Sequence, residues 1–351
     1  MRAVTFAGVE SVVVGTKPPP EVIEPTDAIV RVELAGLCGS DLHPYFGREA
    51  GLDLGTTMGH EFVGSIASIG AEVARFQVGD AVLSPFSVCC GGCDRCDRRV
   101  SARCRHSQLF GWVESGHGLE GAQAEWVRVP LADATLVGRP DDLSRIDALL
   151  LGDVVSTGYY AVKRAAVEGR AVAVVGLGAV GLASVLFARL LGAAKVFALD
   201  PVAERMVLAE RWDAEPIPVA TDPAWTREAL LRANGGEGVT VAIEAVGSST
   251  AMRTAVEILE PGGFLSVASV HTEPSFPFTP IDAYDRNLTV AMGRCPVRSF
   301  LEELIALQRS ERLPLEALVT HRFSLGDAPD AYRTFGDRQR GLIKAVFDPT
   351  V

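Results

Sequence analysis

The stretch AVAVVGLGAVGLASVLFARLLGAAKVFALD, residues 171–200, decides the fold. It opens with an apolar run of strand length, turns through GLGAVG, continues with helical texture in LASVLFARLLG and ends in a second apolar run, KVFALD. Strand, glycine turn, helix and strand in that order make a βαβ unit with parallel strands. Gly176 permits the tight turn, Gly178 lets the backbone approach a pyrophosphate, and Gly181 lets helix and strand pack closely. The helix start supplies free N–H groups, so Gly176, Gly178, Ala179, Val180 and Gly181 form the expected phosphate cradle. Taken alone, GxGxxG fits an ordinary glycine-rich turn as well. Asp200 shifts the balance, because it follows the next strand at about the spacing of a carboxylate that accepts hydrogen bonds from an adenosine ribose. A carboxylate there would repel a 2′-phosphate, so NAD is expected rather than NADP. Asp200 also reads as a helix N-cap before Pro201, a role compatible with the first. Arg205 belongs either to the adenine side of the site or to a helix surface.

Outward from this unit the alternation continues through a helix from about Val202 to Trp212 and the runs VTVAIEAVG (239–247) and GGFLSVASV (262–270). Residues 155–295 are therefore expected to form an α/β domain, a doubly wound parallel sheet covered by helices. Residues 1–154 have a different texture. AIVRVELAG, EFVGSIASIG, DAVLSPF and AEWVRVP are short strand-like runs separated by Gly, Asp and Pro. After Cys295 come one helix, FLEELIALQRS, and short strands such as HRF and IKAVF, too little for a domain of their own. Residues 296–351 are expected to pack back onto the first domain.

Two domains also suit a chain of 351 residues, since single cores stop growing at roughly 250–300 residues. A hydrophobic fraction of 48% with 22% charged residues excludes a disordered chain. The formal charge of −11 and the lack of a Lys/Arg run disfavour nucleic-acid binding. The start, MRAVTFAGVESVVVG, has no basic region followed by a continuous apolar stretch, and the apolar runs near 171–199 are broken by Gly and Arg. Neither a secretory signal nor a membrane span of about 20 apolar residues is read, and a cytoplasmic protein is expected.

Five of the seven cysteines crowd between Cys89 and Cys104. Cys90, Cys93, Cys96 and Cys104 form C-x2-C-x2-C-x7-C, four thiolates able to close a tetrahedron around Zn²⁺. With four protein ligands no position stays open, so the lobe at about 89–104 reads as structural. Cys89 adjoins the first ligand, but the equal spacing of Cys90, Cys93 and Cys96 selects Cys90. A second, dispersed set comprises Cys38 in GLCGSDLH, His60 and Glu61 in MGHEFVG, and Asp153 in LLGDVVSTGYY. Singly, each is as well explained by packing or capping.

In order, GLCGSDLH, GHEFVG, the four-cysteine lobe, GLGAVG with Asp200, and LEPGG (259–263) resemble the zinc-dependent medium-chain alcohol dehydrogenases over essentially the whole length. The resemblance implies a GroES-like catalytic domain (1–154 and 296–351) and a Rossmann domain (155–295). It implies two zinc ions per chain, exchangeable NAD, a small alcohol or aldehyde substrate and a homotetramer. Cys38 and His60 match ligands of the catalytic zinc. The third place holds Asp153 where a cysteine is common, with Glu61 as an alternative ligand; in this and in SPFSVCCGGC the chain is similar to the formaldehyde-dehydrogenase-like branch. Ser40 and His43 match a relay that carries the alcohol proton to solvent, Thr157 a nicotinamide contact, and Phe86 a substrate-pocket position between the domains, with Trp112 a further candidate. Asp41 and Glu61 are expected to orient ligands. A formaldehyde dehydrogenase or dismutase with tightly held NAD and a polyol dehydrogenase are the enzymatic alternatives. The insertions that cover the cofactor in the former have no room in 351 residues. A non-catalytic redox sensor would not need the relay.

Overall fold

The computed structural model describes residues 1–220, 222–337 and 341–350. They fall into two compact units, Met1–Ser156 with Pro296–Val351, and Thr157–Cys295. The first unit opens with an antiparallel ribbon of β1 (Arg2–Gly8) and β2 (Ser11–Thr16), followed by the long β3 (Ala28–Leu37), β4 (Phe62–Ile69) and β5 (Ala81–Leu83). A hairpin of β6 (Trp112–Glu114) and β7 (His117–Leu119), then β8 (Trp126–Val129) and β9 (Val137–Gly138), complete its N-terminal part. The second unit contributes β10 (Ala171–Val175), β11 (Lys195–Leu199), β12 (Glu215–Ile217), β13 (Val239–Glu244), β14 (Leu259–Val267) and β15 (Thr289–Met292). The chain then returns to the first unit with β16 (Val319–Ser324) and β17 (Lys344–Asp348).

The returning strands complete the first unit's sheet, whose order is β16-β17-β3-β4-β5-β9 with β8 also paired to β3. β17 runs antiparallel to β3, Ala345 opposite Leu37 and Phe347 opposite Ala35, while Ala35 also faces Phe62 of β4. Three strand ends therefore meet. Cys38 lies just beyond β3, Glu61 just before β4, and Lys344 begins β17. What holds them there is apolar burial: Val30, Val32, Phe62, Ile66, Phe110, Tyr332 and Phe347 pack in one core, each large side chain contributing about 1.5–3 kcal/mol.

In the second unit six parallel strands lie in the order β12-β11-β10-β13-β14-β15. β10 to β12 step outward one way and β13 to β15 the other. The crevice of such a sheet opens beyond the carboxyl ends of the two strands where the order reverses, here β10 and β13. The helix after β11 spans Ala203–Arg211 with Val202 as its N-cap. Asp200 therefore does not cap it, and instead one carboxylate oxygen accepts the Val202 N–H at 2.8 Å, freeing the residue's position from helix geometry. No helix among the described residues is long and apolar enough to cross a membrane.

Candidate metal centres and cofactor turn

The strand ends and the helix Arg145–Leu151 bring Cys38, His60, Glu61 and Asp153 together, one donor atom from each lying within 4.8 Å of the others. Cys38 Sγ is 3.6 Å from Asp153 Oδ2, and His60 Nε2 is 3.3 Å from the same oxygen. A zinc bonded to S at about 2.3 Å and to N or O at about 2.0–2.1 Å in a tetrahedron requires S···O of about 3.6 Å and N···O of about 3.4 Å. The three side chains thus have the spacing of a ligand set for one ion. Ser40 Oγ lies 3.3 Å from His60 Nε2, which puts a hydroxyl beside the nitrogen that faces the cluster. The Phe86 ring meets the His60 ring edge-to-face at 6.4 Å.

Behind the donors stands a layer the sequence reading named only in part. His60 Nδ1 is 3.2 Å from Asp41 Oδ1, so a carboxylate fixes the ring with Nε2 facing the cluster. The other Asp41 oxygen accepts the Cys38 N–H at 2.9 Å, orienting two donors at once. Gln123 donates to the Gly36 carbonyl at 3.0 Å and to Asp41 at 3.4 Å, and accepts from the Tyr332 hydroxyl at 2.8 Å. Glu61, fully buried, is paired with the equally buried Lys344 at 2.7 Å. Gly36 makes room for that carboxylate, since a Cβ there would come within 1.7 Å of Glu61 Oε2. Gln123, Tyr332 and Lys344 escaped the sequence reading because a lone amide, phenol or amine far along the chain carries no spacing signal.

The electrostatics follow from burial. Desolvation pushes the Cys38 thiol up, with Lys344 partly offsetting it. Burial alone would lower the His60 pKa, but Asp41 and Asp153 hold it well above the ordinary imidazole value. Asp153 would likewise be raised by burial, yet its bond to His60 and the charge there bring it to about 2.

In the lobe, Cys90, Cys93, Cys96 and Cys104 converge within 4.8 Å. Cys93 Sγ lies 3.7 Å from Cys96 Sγ and 3.8 Å from Cys104 Sγ, against the ~3.8 Å edge of a tetrahedron with Zn–S of about 2.3 Å and far above the ~2.05 Å of a disulfide. The N–H groups of Arg105 and Cys96 draw the Cys93 thiol down to about 6. Cys89 turns away, its Sγ toward the Ala134 carbonyl at 3.6 Å, and burial pushes it up to about 11.

The cofactor turn belongs to the second unit. Gly176 has φ +92°, open to glycine at little cost. A Cβ on Gly181 would stand 1.8 Å from the Gly176 carbonyl oxygen, so the helix Ala179–Leu190, capped at Gly178 and including Val180, approaches the turn closely. Asp200 accepts the Leu177 N–H at 2.7 Å, which locks the carboxylate to the glycine turn, and Arg205 Nη1 lies 3.6 Å from it. Thr157 is half-buried on the helix Val154–Lys163. His43 stands in the short helix Leu42–Tyr45, next after the Gly39–Asp41 turn that carries Ser40. Trp112 packs on the core of the first unit from β6, its Nε1 3.4 Å from Glu114; Phe86 is the aromatic residue set against His60.

Two predictions follow from these geometries. Cys93→Ser should remove one metal equivalent per chain and lower the melting temperature, because structural zinc contributes folding free energy; elemental analysis with thermal denaturation measures both. At the other site Asp41 and Asp153 favour the protonated His60 imidazole and burial favours the Cys38 thiol, so a cation competes with protons for these donors. Zinc affinity should rise as pH rises and fall as pH falls through the raised His60 pKa. Calorimetry in buffers of different ionisation enthalpy reads the proton release, and Asp41→Asn should weaken zinc binding about 10- to 100-fold.

Comparison with known proteins places the whole chain in a family. Residues 24–140 match the alcohol dehydrogenase GroES-like domain, and residues 179–308 match the zinc-binding dehydrogenase family. Zinc-type alcohol dehydrogenase B of Aspergillus flavus is 35% identical over 98% of this chain and 81% of its own. An alcohol dehydrogenase of Cupriavidus necator is 31% identical over 99% of each chain. The solved structure of alcohol dehydrogenase TADH from Thermus sp. ATN1 superposes with a TM-score of 0.91 at 36% identity, covering 99% of each chain. With a GroES-like domain, a Rossmann-type parallel sheet and relatives matched along its length, the chain belongs to the zinc-dependent medium-chain alcohol dehydrogenases.

Proposed function

We propose that this oxidoreductase moves a hydride between an apolar primary or secondary alcohol and NAD, giving the aldehyde or ketone, with two zinc ions per chain. The observation that carries the reading is the Cys38–His60–Asp153 set at zinc-ligand spacing with the Ser40 hydroxyl 3.3 Å from His60 Nε2. When bound, zinc supplies Lewis acidity toward the alcohol oxygen and NAD supplies the hydride acceptor. Ser40 Oγ takes the alcohol proton and passes it on toward the His43 imidazole and solvent. Asp41 holds the His60 ring in place, and Phe86 shields the ligands from water. Glu61 is withheld from direct coordination by its bond to Lys344 at 2.7 Å, which supports Asp153 as the third ligand. Exposed Ile281, Tyr284 and Met292 lie along the segment that ends in β15, whose outer edge is unpaired among the described residues. These features support self-association, and the homotetramer is the assembly proposed.

For the cofactor, Asp200 is fixed beside the glycine turn with its charge only partly balanced by Arg205. NAD should therefore exceed NADP by at least about tenfold in kcat/KM, about 1.4 kcal/mol, and Asp200→Gly should narrow the gap. Initial rates with a panel of alcohols and both cofactors measure this. A preference for NADP would overturn the role given to Asp200, and NAD that stays with the protein through purification would favour a formaldehyde-dehydrogenase-like enzyme. Asp153→Asn should lose zinc and turnover together, whereas Glu61→Gln should keep its zinc with a smaller loss of rate. Full occupancy and normal turnover in Asp153→Asn would exchange the two roles.

A further inference from the structure

One buried carboxylate of the second unit takes no part in this reaction. Glu244 closes β13, in register with Val175 of β10 and Val267 of β14, at the point where the strand order reverses. It is fully buried, and both its oxygens are engaged. Oε1 accepts the N–H groups of Val246 and Gly247, each at 2.8 Å. Oε2 accepts the Ser269 hydroxyl and lies 2.9 Å from His271 Nε2, while Ser269 Oγ is 3.3 Å from the same nitrogen. A single carboxylate thus shapes the turn after β13 and ties it to the turn after β14. Glu273, hydrogen-bonded to Ser249, ties the latter turn to the start of the helix Ser249–Glu257.

The turn after β13 adjoins the glycine turn, for a Cβ on Gly176 would meet Val246 Cγ2 at 2.3 Å, and the turn after β14 adjoins that one, for a Cβ on Gly247 would meet the Val270 carbonyl at 2.4 Å. A doubly wound sheet takes one mononucleotide on each side of its reversal point. The glycine turn and Asp200 belong to the β10–β11 side and the adenosine half, so the turns after β13 and β14 face the nicotinamide half. We propose that His271 is a positioning residue for that half: as a cation on Glu244 it holds the turn after β14 in the form that receives the dinucleotide. The proposal rests on the family's use of a nicotinamide cofactor.

The physical case is the difference between two hydrogen bonds. An imidazolium on a buried carboxylate makes a charge-assisted bond, roughly twice as strong as a neutral one. Once the proton is lost, Glu244 loses its cationic partner, and the turn after β14 is left with the serine tie, the Ala268 N–H bond to the Glu244 carbonyl at 2.8 Å and the Glu273 contact, none of them cationic. The groups facing His271 are the carboxylates of Glu244 and Glu273, and both raise its pKa, the Glu244 bond most, against an opposing contribution from burial. A raised histidine pKa places the held form below that pKa and its loss above it. Cofactor affinity should therefore fall as pH rises through the His271 titration.

NADH fluorescence titrations of the zinc-loaded enzyme across about pH 6 to 9 test this. The unmodified protein should lose roughly three- to tenfold in affinity over the range, the size of a modest preorganisation effect. His271→Gln should bind weakly throughout, so that the two curves converge at high pH. Parallel curves would overturn the proposal, whereas failure of the unmodified protein to bind NADH or NADPH at any pH would overturn the cofactor reading beneath it. Should His271→Gln not fold, the claim is read in the unmodified protein: by linkage, NADH must raise the pH at which the His271 ring signal titrates in NMR spectra. An unchanged or lowered titration point would overturn it.

Discussion

Charge inside the first unit has to be balanced where it lies, and the rest of the site depends on how that is done. Cys38, His60, Glu61 and Asp153 converge at the meeting of three strand ends, in surroundings where a lone buried charge costs several kcal/mol. Each is answered by a neighbour. Asp41 answers His60, Lys344 answers Glu61, and Cys38 with His60 faces Asp153 at 3.6 and 3.3 Å. The result is a set of candidate donors whose mutual spacing is built into the fold, with Asp41 and Lys344 holding His60 and Glu61 from behind.

Lys344 shows why the returning C-terminal segment matters to chemistry as well as to packing. β17 pairs with β3, and its first residue delivers the ammonium to Glu61. Removing one partner of such a buried pair typically costs 3–5 kcal/mol, so the strand's register and the placement of Glu61 are coupled. Tyr332 does the same from another part of that segment, reaching Gln123 and through it Asp41. The candidate donors lie between residues 38 and 153, yet groups that steady them come from residues 332 and 344.

In the second unit the corresponding device is a pair of carboxylates at strand ends. Asp200, at the end of β11, grips the glycine turn through Leu177, and Glu244, at the end of β13, grips its own turn through Val246 and Gly247. Backbone N–H groups are the partners in both cases. Each carboxylate therefore fixes a loop at the mouth of the sheet while leaving its strand a continuous apolar run.

How much of this the sequence determined follows from how far apart the cooperating residues are. GLGAVG with Asp200, and the four cysteines of C-x2-C-x2-C-x7-C, lie within one turn or one βαβ unit, so their spacing alone pointed to a dinucleotide turn and a four-thiolate cluster. Cys38, His60 and Asp153 are separated by up to 115 residues; only their likeness to family motifs tied them together, and only strand pairing gave them the distances of a ligand set. The preference for Cys90 over Cys89 rested on spacing, and the fold sets the Cys90 sulfur among the other three while the Cys89 sulfur faces the Ala134 carbonyl at 3.6 Å. Gln123, Tyr332, Lys344 and His271 were invisible as functional residues, because an isolated polar side chain acquires a role from the partner that tertiary structure places against it. Local chemistry is written in spacing, while the compensation of buried charge depends on contacts between distant segments.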